Sequence, residues 1–144
     1  MTTNLLAIHE CHAQGYNPII DYEQWRVAIL NYIDELEPQE ILKMQRHDET
    51  DEVFVLLKGQ CLLFLGEGAN AITKIHIEQM QPLKQYNVKR GVWHTHSLSR
   101  DAMVLIVENR ETSLENSPEA FLTPEQRQTI VSLSKQYWPD GLPS

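Results

Sequence analysis

At 144 residues, 42% hydrophobic and 22% charged, the chain has the size and composition of one soluble globular domain around one core. Its net charge of −8, with no basic run longer than Lys89-Arg90, argues against nucleic-acid or anionic-membrane partners, which demand clustered positive charge, and no segment approaches the ~20 apolar residues of a membrane span. The N-terminal MTTNLLAIHECHAQ has neither the basic start nor the apolar stretch of a signal peptide, and Cys11 and Cys61, with no CxxC pair, suit a reducing cytoplasm.

No repeat or linker interrupts the chain. Residues 1–20 read as irregular, punctuated by Gly15 and Pro18. Residues 25–32 are rich in β-branched and aromatic side chains and lack a helix cap, which predicts a strand. Residues 35–40 are acidic, contain Pro38 and read as a connection. Strands are then predicted over 41–47, 52–58, 60–65, 72–78, 86–89, 93–98 and 103–108. Gly59 marks one turn, and Gly66-Glu67-Gly68 marks a hairpin. Short strands at close spacing indicate an all-β sandwich or barrel, with its core over about 22–110. Thr123, Pro124 and Gln126 then form a capping box, and Ile130, Leu133 and Tyr137 recur at helical spacing. A C-terminal helix over about 124–138, packed outside the barrel, follows.

Two stretches carry chemistry. Side chains alternate faces along a strand, so Lys43, Gln45 and His47 share one face. Glu52 and Phe54 can face the same interior from a neighbouring strand, and His94 and His96 from a third. Two imidazoles and a carboxylate in one barrel mouth suit a divalent ion with open positions. The alternative is a metal-free pocket whose polar trio is satisfied by hydrogen bonds.

The spacing resembles that of the cupin superfamily. Its first motif places HxH before three or four residues, then Glu, then six residues, then Gly. Here His47 holds the second-histidine position, four residues precede Glu52, six separate Glu52 from Gly59, and Gln45 stands where the first histidine belongs. The second motif is matched at its centre by Gly91-Val92-Trp93-His94, with Leu83, Lys89 and Leu98 replacing its outer Gly, Pro and Asn. The resemblance implies a jelly-roll β-barrel with a divalent metal ion (Zn, Ni, Fe or Mn) on His47, Glu52 and His94. Gln45 would add an amide oxygen, or merely a hydrogen bond, and His96 either compensates as a ligand or bonds within the pocket. Pairing into a homodimer and a small polar or anionic ligand are further expectations.

A finer pattern, Arg46-His47, Tyr86-Asn87-Val88 and Val107-Glu108-Asn109-Arg110, resembles ureidoglycolate lyase, which implies a lyase as the alternative activity. His96 and Lys43 are the candidate proton-transfer groups, and Arg26, if inside, a candidate anion clamp. Tyr86 and Trp93 either line the pocket or fill the core. Carboxylates of the turn 48–51 are solvated, or else orient His47.

Overall fold

A computed structural model describes residues 5–144, so the first four residues of the stretch read as irregular lie outside it. Its strands are β1 (Gly15–Tyr22), β2 (Trp25–Asn31), β3 (Lys43–Gln45), β4 (Glu52–Lys58), β5 (Cys61–Glu67), β6 (Lys74–Gln79), β7 (Gln85–Val88), β8 (Trp93–Leu98), β9 (Met103–Asn109) and β10 (Glu119–Phe121). They form two antiparallel sheets, ordered β1-β2-β9-β4-β7 and β10-β3-β8-β5-β6. The two sheets face each other as an open jelly roll, with no continuous hydrogen-bonded closure between them. One helix, α1 (Pro124–Ser134), follows.

The alternation of apolar residues decides the packing. Phe54 and Leu56 of β4, Val104 and Ile106 of β9, and Cys61 and Leu63 of β5 meet between the sheets. Burial of each such aliphatic or aromatic side chain contributes ~1.5–3 kcal/mol. In β5 both faces are buried, because Leu62 and Phe64 lie under a second cluster formed with Ile130, Leu122 and Trp138. That double burial explains the unbroken apolar run Cys-Leu-Leu-Phe-Leu. The helix therefore covers the outside of the second sheet, started by the predicted box: Gln126 N–H donates to Thr123 Oγ1 at 3.1 Å, and Thr123 N–H to Gln126 Oε1 at 3.0 Å.

Four expectations are corrected. A strand, β1, occupies part of the stretch read as irregular, and β10 joins the second sheet, so the paired strands run from Gly15 to Phe121. Pro18 and a register shift between Pro18 and Ile20 had disguised β1, an edge strand where proline costs no ladder bond. The predicted hairpin joins β5 to β6, but its turn begins at Gly68 and Gly66 lies inside β5, where a Cβ would stand 2.9 Å from Trp93 Cβ. The helix stops at Ser134, whose carbonyl accepts from both Tyr137 and Trp138 N–H, and this tightened turn brings Trp138 Nε1 to Gln60 Oε1 at 3.1 Å. Among the described residues no helix is long and apolar enough to cross a membrane.

Candidate metal centre

Strand β3 and the extended residues just after it deliver Gln45 and then His47 to one end of the space between the sheets. Gln45 pairs across the ladder with His94 near the start of β8, and Glu52 opens β4. Three element ends thus meet, and His47, Glu52 and His94 are all buried, with 5–7% of each exposed. His47 Nε2 and His94 Nε2 each stand 2.9 Å from the same oxygen, Glu52 Oε1. A ligand atom from each of the three lies within 4.8 Å of the others.

The far nitrogens fix the protons. His94 Nδ1 faces the Val92 carbonyl at 3.0 Å, which can only accept, so the hydrogen is on Nδ1. His47 Nδ1 faces Ser117 Oγ at 2.7 Å, and that hydroxyl donates its own hydrogen to Asn116 Oδ1 at 2.9 Å. As neutral imidazoles, both rings therefore turn an Nε2 lone pair toward an anionic oxygen. Three acceptors converging in a buried space require a cation among them, or extra protons on the rings. Burial favours the neutral form of Glu52, but the two imidazoles outweigh it and hold the carboxyl well below the usual range. Burial likewise opposes charge on His47, yet Glu52 raises its pKa overall.

These groups line a cavity of about 420 Å³ with Gln45, His96 and Phe54. His96 shares the inward face but stands apart from the trio, its ring centroid 6.3 Å from that of His94 and 4.3 Å from that of Phe54. Burial and the neighbouring His94 push its pKa down to about 3, and its Nε2 is buried without a partner among the described residues. Lys43 sits half-exposed on the lining, its Nζ 2.6 Å from Glu119. Arg26 does face the cavity, held by Asp21 at 2.7 Å. Tyr86 packs on the inner core, and Trp93 belongs to the outer cluster, so both fill core. The turn 48–51 leaves His47 to Ser117: Asp48 bonds Arg46 at 2.8 Å and Asp51 accepts from Arg90 N–H at 2.8 Å.

Glu108, Tyr16 and Ser117 went unread as site residues. Glu108 projects inward from β9, buried, and accepts from Tyr16 OH. Burial and the nearby Glu52 push its pKa up to about 7. The inward parity of β9 (Val104, Ile106, Glu108) was the available signal for it. Nothing local marks Tyr16 or Ser117.

No family model matches the chain, and no curated protein matches it. Solved structures do. HppE, determined with Fe(II) and a substrate, superposes with a TM-score of 0.52 at 13% identity, over 75% of this chain and 60% of HppE. The QdtA 3,4-ketoisomerase of Thermoanaerobacterium thermosaccharolyticum, a double mutant with TDP, gives 0.50 at 13% identity, over 83% of this chain and 78% of that one. A cupin-2 domain protein of Shewanella frigidimarina gives 0.45 at 17% identity, over 74% and 87%. The chain spans only three fifths of the HppE chain's length. At such identities the fold alone is shared, and it is the cupin fold.

Proposed function

We propose that this cupin-fold protein holds a divalent metal ion on His47, Glu52 and His94, with the Gln45 amide oxygen beside them, and binds a small polar ligand against it. One observation carries this reading: both imidazoles are held by a fixed partner at Nδ1 and turn Nε2, each at 2.9 Å, to one carboxylate oxygen. Two imidazole nitrogens with oxygen donors suit Fe, Mn, Ni or Zn. That HppE carries Fe(II) in the same fold supports the reading. When bound, such an ion supplies Lewis-acid polarisation of a ligand oxygen. Arg26 and Lys43 on the cavity lining favour an anionic ligand, while Phe54, Leu30 and Ile106 give it apolar walls. Lys43 and His96 remain candidate proton-transfer groups, and Glu108 with its Tyr16 partner joins them on the wall.

The test is the metal content of protein purified without added metal, with His94→Ala as the control. About one ion per chain, lost in the variant, is expected. Metal near zero in both, even after incubation with each ion and desalting, would leave a metal-free binding pocket instead.

Two copies pair, in this reading, through the outer face of the first sheet. There Ile20, Val27, Val107 and Val53 form one cross-strand row and Ile29, Leu105 and Val55 the next, with no charged side chain in either. Asn17, Gln85 and Asn87 end the rows with polar groups. The buried Cys61 thiol fits a reducing compartment.

A further inference from the structure

Ser117 is fully buried, yet it lies in no strand and 70 residues from the histidine it touches. Its partner Asn116 is held at both ends of its side-chain amide. Asn116 Oδ1 accepts from Ser113 N–H at 2.9 Å, while Nδ2 donates to Glu111 O at 3.1 Å and reaches Glu49 Oε2 at 3.3 Å. These contacts orient the amide, so Oδ1 is the atom that faces Ser117. An amide oxygen only accepts, so the Ser117 hydroxyl must donate to it. Only a lone pair then remains for His47, and Nδ1 must carry the hydrogen. One amide orientation sets the hydrogen positions of three side chains.

The backbone keeps this relay in register. Arg46 N–H donates to Pro118 O at 3.1 Å and Asp48 N–H to Asn116 O at 2.8 Å, one bond on each side of His47. These bonds extend the β3–β10 ladder past the ends of its strands. Thr112 of the same segment lines the cavity. The two histidines are therefore held differently. His94 is fixed by a backbone carbonyl, which no side-chain substitution removes, whereas His47 depends on a hydroxyl supplied by a loop at the cavity.

We infer that Ser117 is a positioning residue: relayed from Asn116, it locks His47 in the Nδ1–H tautomer and so keeps the Nε2 lone pair available to the ion. This rests on the metal reading of the site. Without the hydroxyl, the Nδ1 hydrogen would be buried and unpaired, a costly arrangement. The ring relieves it by taking the other tautomer, whose Nε2–H donates to Glu52 Oε1. That tautomer closes the ligating atom, so metal affinity falls although every ligand is present. Partners that orient metal-bound histidines are typically worth roughly 10–100-fold in affinity.

Two measurements test it on the full chain: ring-nitrogen NMR of His47 in metal-free protein at alkaline pH, and calorimetric titration with Zn2+ alone. Ser117→Ala should shift His47 from one tautomer to a mixture and weaken Zn2+ by roughly 10–100-fold. Ser117→Thr, which keeps the hydroxyl, should restore both. Asn116→Ala, which leaves the His47 and Ser117 side chains themselves intact but removes the acceptor of the Ser117 hydroxyl, should move both readouts in the same direction by less, and it carries the test if Ser117→Ala does not fold. Wild-type tautomer and wild-type Zn2+ affinity in Ser117→Ala, or in Asn116→Ala where that variant carries the test, would overturn the proposal. If the wild type takes up no Zn2+, the metal reading fails, and the ring-nitrogen spectra still decide whether Ser117 holds His47.

Discussion

Glu108 is a carboxyl of the cavity wall that the fold holds in its protonated form. Burial and the charge of Glu52 favour its protonated form, so the folded, metal-free protein keeps this proton between the usual carboxyl range and about pH 7. In that window the folded state binds more protons than the unfolded one, and stability falls as pH rises. Glu108→Gln retains an acceptor for Tyr16 and removes the titration. Thermal melts of metal-free protein should therefore show the variant gaining on the wild type from pH 5 to pH 7. Parallel curves would contradict the account. His47, Glu52 and His94 were legible because strand parity and turn spacing are local: His47 and Glu52 flank the short turn 48–51, and His94 follows Gly91 by three residues. Ser117 and Tyr16 were not, since 70 residues separate Ser117 from His47 and 92 separate Tyr16 from Glu108. Their contacts exist only once distant strands have been assembled within a sheet, β1 through β2 to β9 in the first and β3 with β10 in the second.

Among the elements, the β4–β5 turn tolerates little change. Gly59 adopts φ +76°, and a Cβ there would lie 2.6 Å from Ala102 Cα, which is backbone and cannot swing aside. Gly59→Ala combines a left-handed penalty with a main-chain clash, a loss of ~2 kcal/mol or more. Denaturant unfolding should show the unfolding free energy falling by that amount, read as a lower midpoint at unchanged slope. A change below ~0.5 kcal/mol would mean that the turn relaxes freely. The same reasoning shows why strands β4 to β9 could be read and β1 could not. Alternation with glycine turns marks a central strand well. An edge strand that carries Pro18 and a bulge loses both signals. The helix start was equally legible, since a capping box is a four-residue pattern, but its end depends on where Trp138 finds Gln60, a tertiary contact.

The whole molecule presents two unlike outer faces. The second sheet is covered by α1, while among the described residues no helix covers the aliphatic rows of the first. Two copies each carrying a net charge of −8 meet most easily on an uncharged surface. Val107→Lys places a charge at the centre of that face, on the opposite side of the sheet from the inward-facing trio. Light scattering should find a dimer for the wild type and a monomer for the variant, with metal content unchanged. A monomeric wild type at tens of micromolar would contradict it.

Beneath these faces, the account turns on what stands between His47, Glu52 and His94. Anomalous diffraction from crystals of the protein grown with its preferred ion measures that directly. The account predicts one strong peak within bonding distance of His47 Nε2, His94 Nε2 and Glu52. A map with no anomalous peak there, and both Nε2 atoms bonded through hydrogen to Glu52, would contradict it.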